Sequence, residues 1–235
     1  MITPRRYSQI ASHPISITWL LGAVLPKPEL ERWKRQQVLE LARKHTDIDD
    51  PDELLQRHGP RGDVRGTEVH RAIAARLSGQ PMPTLSDTAA AYYEQWEKTW
   101  EAMHATTEKQ LPIYPEQVVY HREMNLAGTA DAIKWDGEHE IAVIYDWKTT
   151  HNLPDAPWID HEAQVAFYAR TWQLYLSDPD DSDPCDVVGA VMYVSETGTA
   201  LHVVDLQKGW DLVDAVYSLA SLLWPDLMGE YNADQ

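Results

Sequence analysis

Gly128-Thr129-Ala130-Asp131, followed by the apolar run Ile141-Ala142-Val143-Ile144-Tyr145 and its ending Asp146-Trp147-Lys148-Thr149, is the stretch from which the fold is read. Residues 124–135 and 140–149 read as two strands, and Asp136-Gly137-Glu138 between them is rich in hairpin-turn residues. Strand side chains alternate between faces, so Asp146 and Lys148 share one face while Trp147 points to the other. The length of the turn decides what Asp131 meets. A two-residue turn at Asp136-Gly137 sets Asp131 opposite Ala142 and leaves Asp146 roughly 13 Å away, at about 3.3 Å per residue. A longer loop centred between Glu138 and His139 sets Asp131 opposite Asp146, where two carboxylates can hold one divalent cation through oxygen. We expect the longer loop, or a bulge with the same effect.

The run 141–145 has the character of a strand buried on both faces, and a charged Asp146-x-Lys148 at its end is costly unless the charges are paired or bound to metal. The plainer alternative is a surface hairpin whose Asp and Lys form an ordinary ion pair. Gly66-Thr67-Glu68-Val69-His70 opens a helix running to Leu77, with Val69, Ile73 and Leu77 on one stripe and His70 beside it. Residues 161–176 read as an amphipathic helix in which Gln164 and Tyr168, at i and i+4, project from one face. Taken singly, such a histidine is an ordinary packed or solvated residue, and Gln164 with Tyr168 an ordinary boundary pair.

In this order, the Gly-x-x-x-His helix start, the Gly-x-x-Asp strand, the Asp-x-Lys strand end and the Gln-x-x-x-Tyr helix resemble the RecB-type branch of the PD-(D/E)XK nuclease superfamily, with its phage and bacterial exonucleases. The motifs are short, and their order and spacing between His70 and Tyr168 carry the specificity. The resemblance implies an α/β fold of the restriction-endonuclease type, a mixed central sheet flanked by helices, with a helical N-terminal region. It implies a divalent-metal-dependent DNA nuclease, above all an exonuclease, serving recombination, repair or phage DNA processing. Asp131, Asp146, His70 and the carbonyl of Trp147 then correspond to ligands of Mg²⁺ or Mn²⁺. Lys148 corresponds to the catalytic lysine beside Asp131 and Asp146, and Gln164 with Tyr168 to the helix that steadies the site and the nucleic-acid strand. Glu116, in Tyr114-Pro115-Glu116-Gln117-Val118, matches an acidic position upstream in relatives. The implied reaction is in-line attack by water on a phosphodiester, leaving a 5′-phosphate and a 3′-hydroxyl, with Lys148 orienting the water or neutralising charge. Two alternatives stand beside it: a structure-selective endonuclease on the same fold, and a non-catalytic acidic protein that binds a basic partner as a DNA mimic.

The chain of 235 residues, 43% hydrophobic, is long enough to bury one core, and we expect one domain over residues 1–235, with 1–65 as a helical N-terminal part and 66–228 as the nuclease core. No apolar run reaches the about 18 residues of a membrane span. Ser12-His13-Pro14 interrupts the N-terminal segment, so no signal peptide is read and a cytoplasmic protein is expected, in the host cytoplasm if phage-encoded. Cys185 is the single cysteine, which excludes an intramolecular disulfide and a four-cysteine iron–sulfur cluster supplied by this chain. Several RecB-like relatives carry such clusters, so the expected site is iron-free. A net charge of −17 is awkward for gripping a polyanion, but its distribution is uneven. Residues 1–80 hold 13 Lys+Arg against 10 Asp+Glu, and residues 81–235 hold 7 against 27. A DNA backbone should therefore meet the N-terminal third, with Arg61, Arg65, Arg71 and Arg76 around His70 as candidates; the alternative is that they solvate a helix face. Lambda exonuclease, another superfamily member, works as a ring, which leaves room for a homo-oligomer or a recombination partner.

Elsewhere, residues 4–25 read as a short helix plus a helical apolar segment, 28–45 as an amphipathic helix, and 47–52 and 79–83 as breaks. Residues 86–106 read as a long helix whose Tyr92, Trp96, Trp100 and Met103 stripe is core rather than a base-stacking platform, because the helix is acidic. Residues 177–186 form a solvated acidic loop, 187–195 and 200–206 a hairpin around Thr197-Gly198, 209–224 a closing helix, and the tail from 229 is frayed.

Overall fold

A computed structural model of the chain describes residues 7, 9–10, 12–48, 50–58, 62–105, 111–138, 141–176 and 185–229. Its strands are β1 (Ile15–Ser16), β2 (Ile113–His121), β3 (Leu126–Asp136), β4 (Ile141–Thr149), β5 (Asp186–Val194) and β6 (Thr199–Val203). Its helices are α1 (Ile17–Val24), α2 (Pro28–Ala42), α3 (Pro51–His58), α4 (Gly62–Leu77), α5 (Asp87–His104), α6 (Ile159–Leu176), α7 (Leu206–Leu223) and α8 (Pro225–Gly229). The helix starts follow local chemistry. Ser16, Ser86 and Asp205 each accept a backbone N–H in the first turn of α1, α5 and α7, and Pro28 opens α2 where no N–H is needed.

The strands form one mixed sheet in the order β1-β3-β4-β5-β6, with β2 also paired to β3. β3 and β4 are antiparallel, with Ala132 opposite Tyr145 and Asp136 opposite Ile141. This is the register of the longer loop, and continued by one step it sets Asp131 across from Asp146. β4 and β5 run parallel through the crossover helix α6, and β5–β6 is an antiparallel hairpin.

Period-two alternation along β4 divides the core. Ala142 and Ile144 face a core built with Ile17, Leu20, Phe167 and Val213 of α1, α6 and α7. Tyr145 and Trp147 face the opposite core, against Val69 and Ile73 of α4 and Tyr92, Trp96 and Trp100 of α5. There Trp100 lies 5.3 Å from the ring of Tyr145 and 5.6 Å from that of Trp147, both edge-on. The aromatic stripe of α5 is core.

β3 is shared between partners. β2 runs along one of its edges from Leu126 to Lys134. The other edge is taken by β1 at Leu126 and Ala127 and by β4 from Ala132 onward. Gly128 to Asp131 therefore lie in a fork between β1 and β4. Into that fork comes the ring of Tyr168 from α6, which a Cβ on Gly128 would overlap; the same Cβ would stand 2.8 Å from Ile17 Cγ2.

Four local expectations are corrected. Residues 15–16 are a strand rather than part of a helix, because the edge of β3 before the fork needs a partner. The stretch 113–121, to which the sequence reading gives no element, is a strand. The break expected at 47–52 ends two residues early, since α3 starts at Pro51 with Asp52 and Glu53 in its first turn, where carboxylates favour a helix start. α4 begins at Gly62, a turn before Gly66. Residues 177–184 of the expected acidic loop and 230–235 of the tail lie outside the described residues.

Gly128→Val is expected to cost about 2 kcal/mol of stability, since neither Tyr168 nor Ile17 can withdraw without opening the core. Thermal or urea denaturation measures this, and an unchanged midpoint contradicts the close packing.

Candidate active site

The fork holds the polar residues that the buried strands would otherwise exclude. Asp131 and Asp146 are both buried. Asp131 Oδ2 accepts the backbone N–H of Trp147 at 2.6 Å, so a carboxylate takes the place of a main-chain acceptor where β4 leaves β3. Asp131 Oδ1 lies 2.8 Å from His70 Nδ1. His70 is brought in by α4, whose Gly66 lets the helix lie close to the end of β4; a Cβ there would stand 3.2 Å from Thr149 Oγ1.

Side-chain alternation slips once in each of two paired strands at this point. Ala130 and Ile133 of β3 both face the α6-side core, whereas Ala132 faces the α4 side. In β2, Val119 faces the α6 side and Ile113 packs on the α4 side. The slips fall opposite each other, since Gln117 pairs with Ala130 and Pro115 with Ala132, which sets Glu116 across from Asp131. Glu116 has a φ of 51°, a left-handed conformation that costs a residue with a Cβ on the order of 1 kcal/mol or more. His70, Glu116 and Asp131 each offer a ligand atom, and these atoms lie within 4.8 Å of one another.

On the other side of Asp146 stands Lys148. Its Nζ lies 2.7 Å from the buried Asp146 Oδ2, a close ion pair. Lys148 Nζ also donates to Gln164 Oε1 at 3.2 Å. Gln164 Nε2 donates to Tyr168 OH at 2.5 Å and to Thr18 Oγ1 at 3.1 Å. Because a lysine only donates, Gln164 must turn its oxygen to Lys148 and its amide hydrogens to the two hydroxyls.

Charge and burial set the proton affinities. Burial pushes Asp146 up to about 6, with Lys148 opposing the shift and Asp131 adding to it. Lys148 is raised: burial works against its charge, and Asp146 and Asp131 outweigh burial. For His70, burial again favours the neutral ring, but the charge and hydrogen bond of Asp131 raise its pKa overall. Glu116 is exposed by surface area, yet crowding around its carboxyl and the neighbouring Asp131 charge raise it.

A divalent cation fits the donor set of His70, Glu116 and Asp131. Its members are hard oxygens and one imidazole, their ligand atoms lie within 4.8 Å of one another, and Glu116 is held there in a left-handed conformation.

The structure gathers His70, Glu116, Asp131, Asp146, Lys148, Gln164 and Tyr168 around the fork. The arginines divide differently. Arg65 lies 4.5 Å over the ring of Tyr92, and Arg71 is exposed on α4. Arg76, exposed on α4, stands 3.4 and 3.8 Å from Glu97 and Glu101 of α5, a surface ion pair. Arg61 lies outside the described residues. Thr18 was not singled out from sequence; only the β1–β3 pairing, a long-range contact, brings it to Gln164.

Two outcomes follow from this chemistry. A cation held by Asp146, Glu116 and His70 would need both carboxylates ionised and the imidazole neutral, so protons would have to leave groups whose pKa values are raised. Burial of ionised Asp146 also destabilises the metal-free fold as pH rises through about 6, and a bound cation offsets this. Mn²⁺ affinity by calorimetry should therefore rise with pH through about 6, by up to about tenfold per unit per proton displaced below that point. A flat profile contradicts the assignment. Glu116→Gly should raise the melting temperature of the metal-free protein, by relief of about 1 kcal/mol of strain, while weakening Mn²⁺ binding. Loss of stability with unchanged binding would show that Glu116 is structural.

The family model described as the PD-(D/E)XK nuclease superfamily matches residues 31–200. A search of curated proteins found no match. Among solved structures, "Crystal structure of SSO0001" is similar at 15% identity with a TM-score of 0.41, covering 87% of this chain and 75% of that one. The six-stranded mixed sheet with helices on both faces agrees with the restriction-endonuclease-like fold. By the extent of the family match and by this fold, the chain belongs to the PD-(D/E)XK nuclease superfamily.

Proposed function

We propose that the protein is a divalent-metal-dependent DNA exonuclease of the RecB-type branch, acting in recombination, repair or phage DNA processing. The observation that carries the reading is the β3–β4 register, which sets Asp131 across from Asp146 at the fork and leaves Lys148 held between Asp146 and Gln164. The order of the four motifs, ending in Gln164 and Tyr168 on α6, supports the RecB-type assignment. In this reading residues 1–235 form one domain.

His70, Asp131, Asp146 and the carbonyl of Trp147 would hold Mg²⁺ or Mn²⁺, with Glu116 as a further ligand. When bound, the ion supplies Lewis-acid polarisation of the phosphoryl group and lowers the pKa of water. The remaining work falls to the chain. Lys148, kept protonated by Asp146 and Asp131, neutralises charge that grows on the phosphate and orients the attacking water. Gln164 fixes the direction of the Lys148 ammonium, and Tyr168 and Thr18 fix Gln164. Water adds to phosphorus as the P–O3′ bond breaks; the water gives up one proton to solvent and the departing O3′ takes one from solvent, leaving a 5′-phosphate and a 3′-hydroxyl. Arg65, braced on Tyr92, and Arg71, exposed on α4, are the cations proposed to meet the DNA backbone.

The net charge of −17 favours a second reading, a non-catalytic acidic protein that binds a basic partner. Digestion of end-labelled linear single- and double-stranded DNA with Mg²⁺ or Mn²⁺, beside closed circles and with Asp146→Ala and Lys148→Ala as controls, separates the readings. Loss of linear DNA alone, reduced at least about a hundredfold in both variants, is expected. Cut circles indicate an endonuclease. Absence of metal-dependent cleavage, with tight binding to a basic protein, supports the acidic binder instead.

A further inference from the structure

Thr18 stands at the first turn of α1, outside the stretch matched by the family model. Three constraints hold it. The parallel pairing of Ile15 with Leu126 and Ser16 with Ala127 anchors the chain before α1. Ser16 caps α1 by accepting the N–H of Trp19, and Ile17 is fully buried against the Gly128 backbone. With both its neighbours in sequence fixed, Thr18 is exposed, with its Oγ1 at Gln164 Nε2.

Its hydroxyl has a defined polarity. Gln164 Nε2 donates to Thr18 Oγ1 at 3.1 Å, and Gln164 cannot reverse because its oxygen must face Lys148. Thr18 Oγ1 is thus an acceptor in this contact. The hydroxyl proton points elsewhere, and among the described residues it has no acceptor. This exposed donor, turned away from Gln164 and one amide away from Lys148, is free to be offered to a phosphate oxygen that Lys148 also neutralises.

Resting on the nuclease reading, the geometry points to Thr18 as a substrate contact: it donates its hydroxyl proton to a non-bridging phosphate oxygen of the nucleic-acid strand lying beside Lys148, while accepting from Gln164. The two bonds strengthen each other. A phosphate that takes the hydroxyl proton makes Oγ1 a better acceptor for Gln164, which holds the Gln164 oxygen more firmly on Lys148. Substrate binding at Thr18 and ordering of Lys148 are then one event.

The test uses the full chain as wild type, Thr18→Ser and Thr18→Val. Affinity is measured for a short DNA duplex with a single-stranded overhang, with Ca²⁺ in place of Mg²⁺, and neutral methylphosphonates are placed at one linkage at a time. Thr18→Val should weaken binding roughly fivefold to tenfold, and Thr18→Ser should stay within about twofold of wild type. At one linkage the methylphosphonate should weaken wild type and Thr18→Ser by a similar factor and cost Thr18→Val nothing further. Equal affinity of all three proteins overturns the contact, as does a methylphosphonate loss that multiplies with Thr18→Val at every linkage. Either of those results, in a protein that binds and cuts DNA, leaves the nuclease reading standing. A wild type that neither binds nor cuts DNA with any of these cations removes both.

Discussion

The buried pair Asp146 and Lys148 is the constraint around which the rest of the structure is arranged. Each charge alone would be costly at the inner end of a strand covered on both faces, and the pair by itself repays only part of that cost. The fork in β3 supplies what is missing. Because β1 ends its pairing at Ala127 and β4 begins at Ala132, four residues of β3 have no strand on that edge, and polar side chains from three directions enter the gap. His70 comes from α4, Gln164 and Tyr168 from α6, and Glu116 from β2. The result is a polar pocket walled by two apolar cores, one under α1, α6 and α7 and one under α4 and α5.

Strain and proton affinity in this pocket point the same way. Asp146 held near 6 and Glu116 raised and left-handed are each unfavourable in the metal-free fold. Lys148, by contrast, is held in its charged form by the same carboxylates. A divalent cation bound among these carboxylates would offset the first two and leave Lys148 charged. The overall acidity of the chain lies mainly beyond residue 80. Arg65 and Arg71 on α4 and Thr18 on α1 belong to the less acidic N-terminal third, on the elements that border the fork.

Much of this was legible in the sequence because two requirements coincided. Alternation fixed which side chains share a face, and a metal between two carboxylates demanded one register among those the turn allowed, which is the register β3 and β4 adopt. The aromatic stripe of α5 was readable as core from its period and acidity. What escaped had weak local signals. β1 is two residues long and runs straight into an apolar helix, so no alternation betrays it. β2 carries Pro115 in its middle, which argues against a strand. Thr18 has no motif of its own, and its place at Gln164 depends on the pairing of β1 with β3, residues far apart in the chain.

The central claim is that the fork holds a metal ion between the two aspartates. Anomalous diffraction from crystals grown with Mn²⁺ tests it directly. The account predicts one or more strong peaks bounded by Asp131 and Asp146, with His70 and Glu116 facing them. Crystals soaked to saturation that show Mn²⁺ only at other carboxylates, with Lys148 still lying across Asp146, would contradict it.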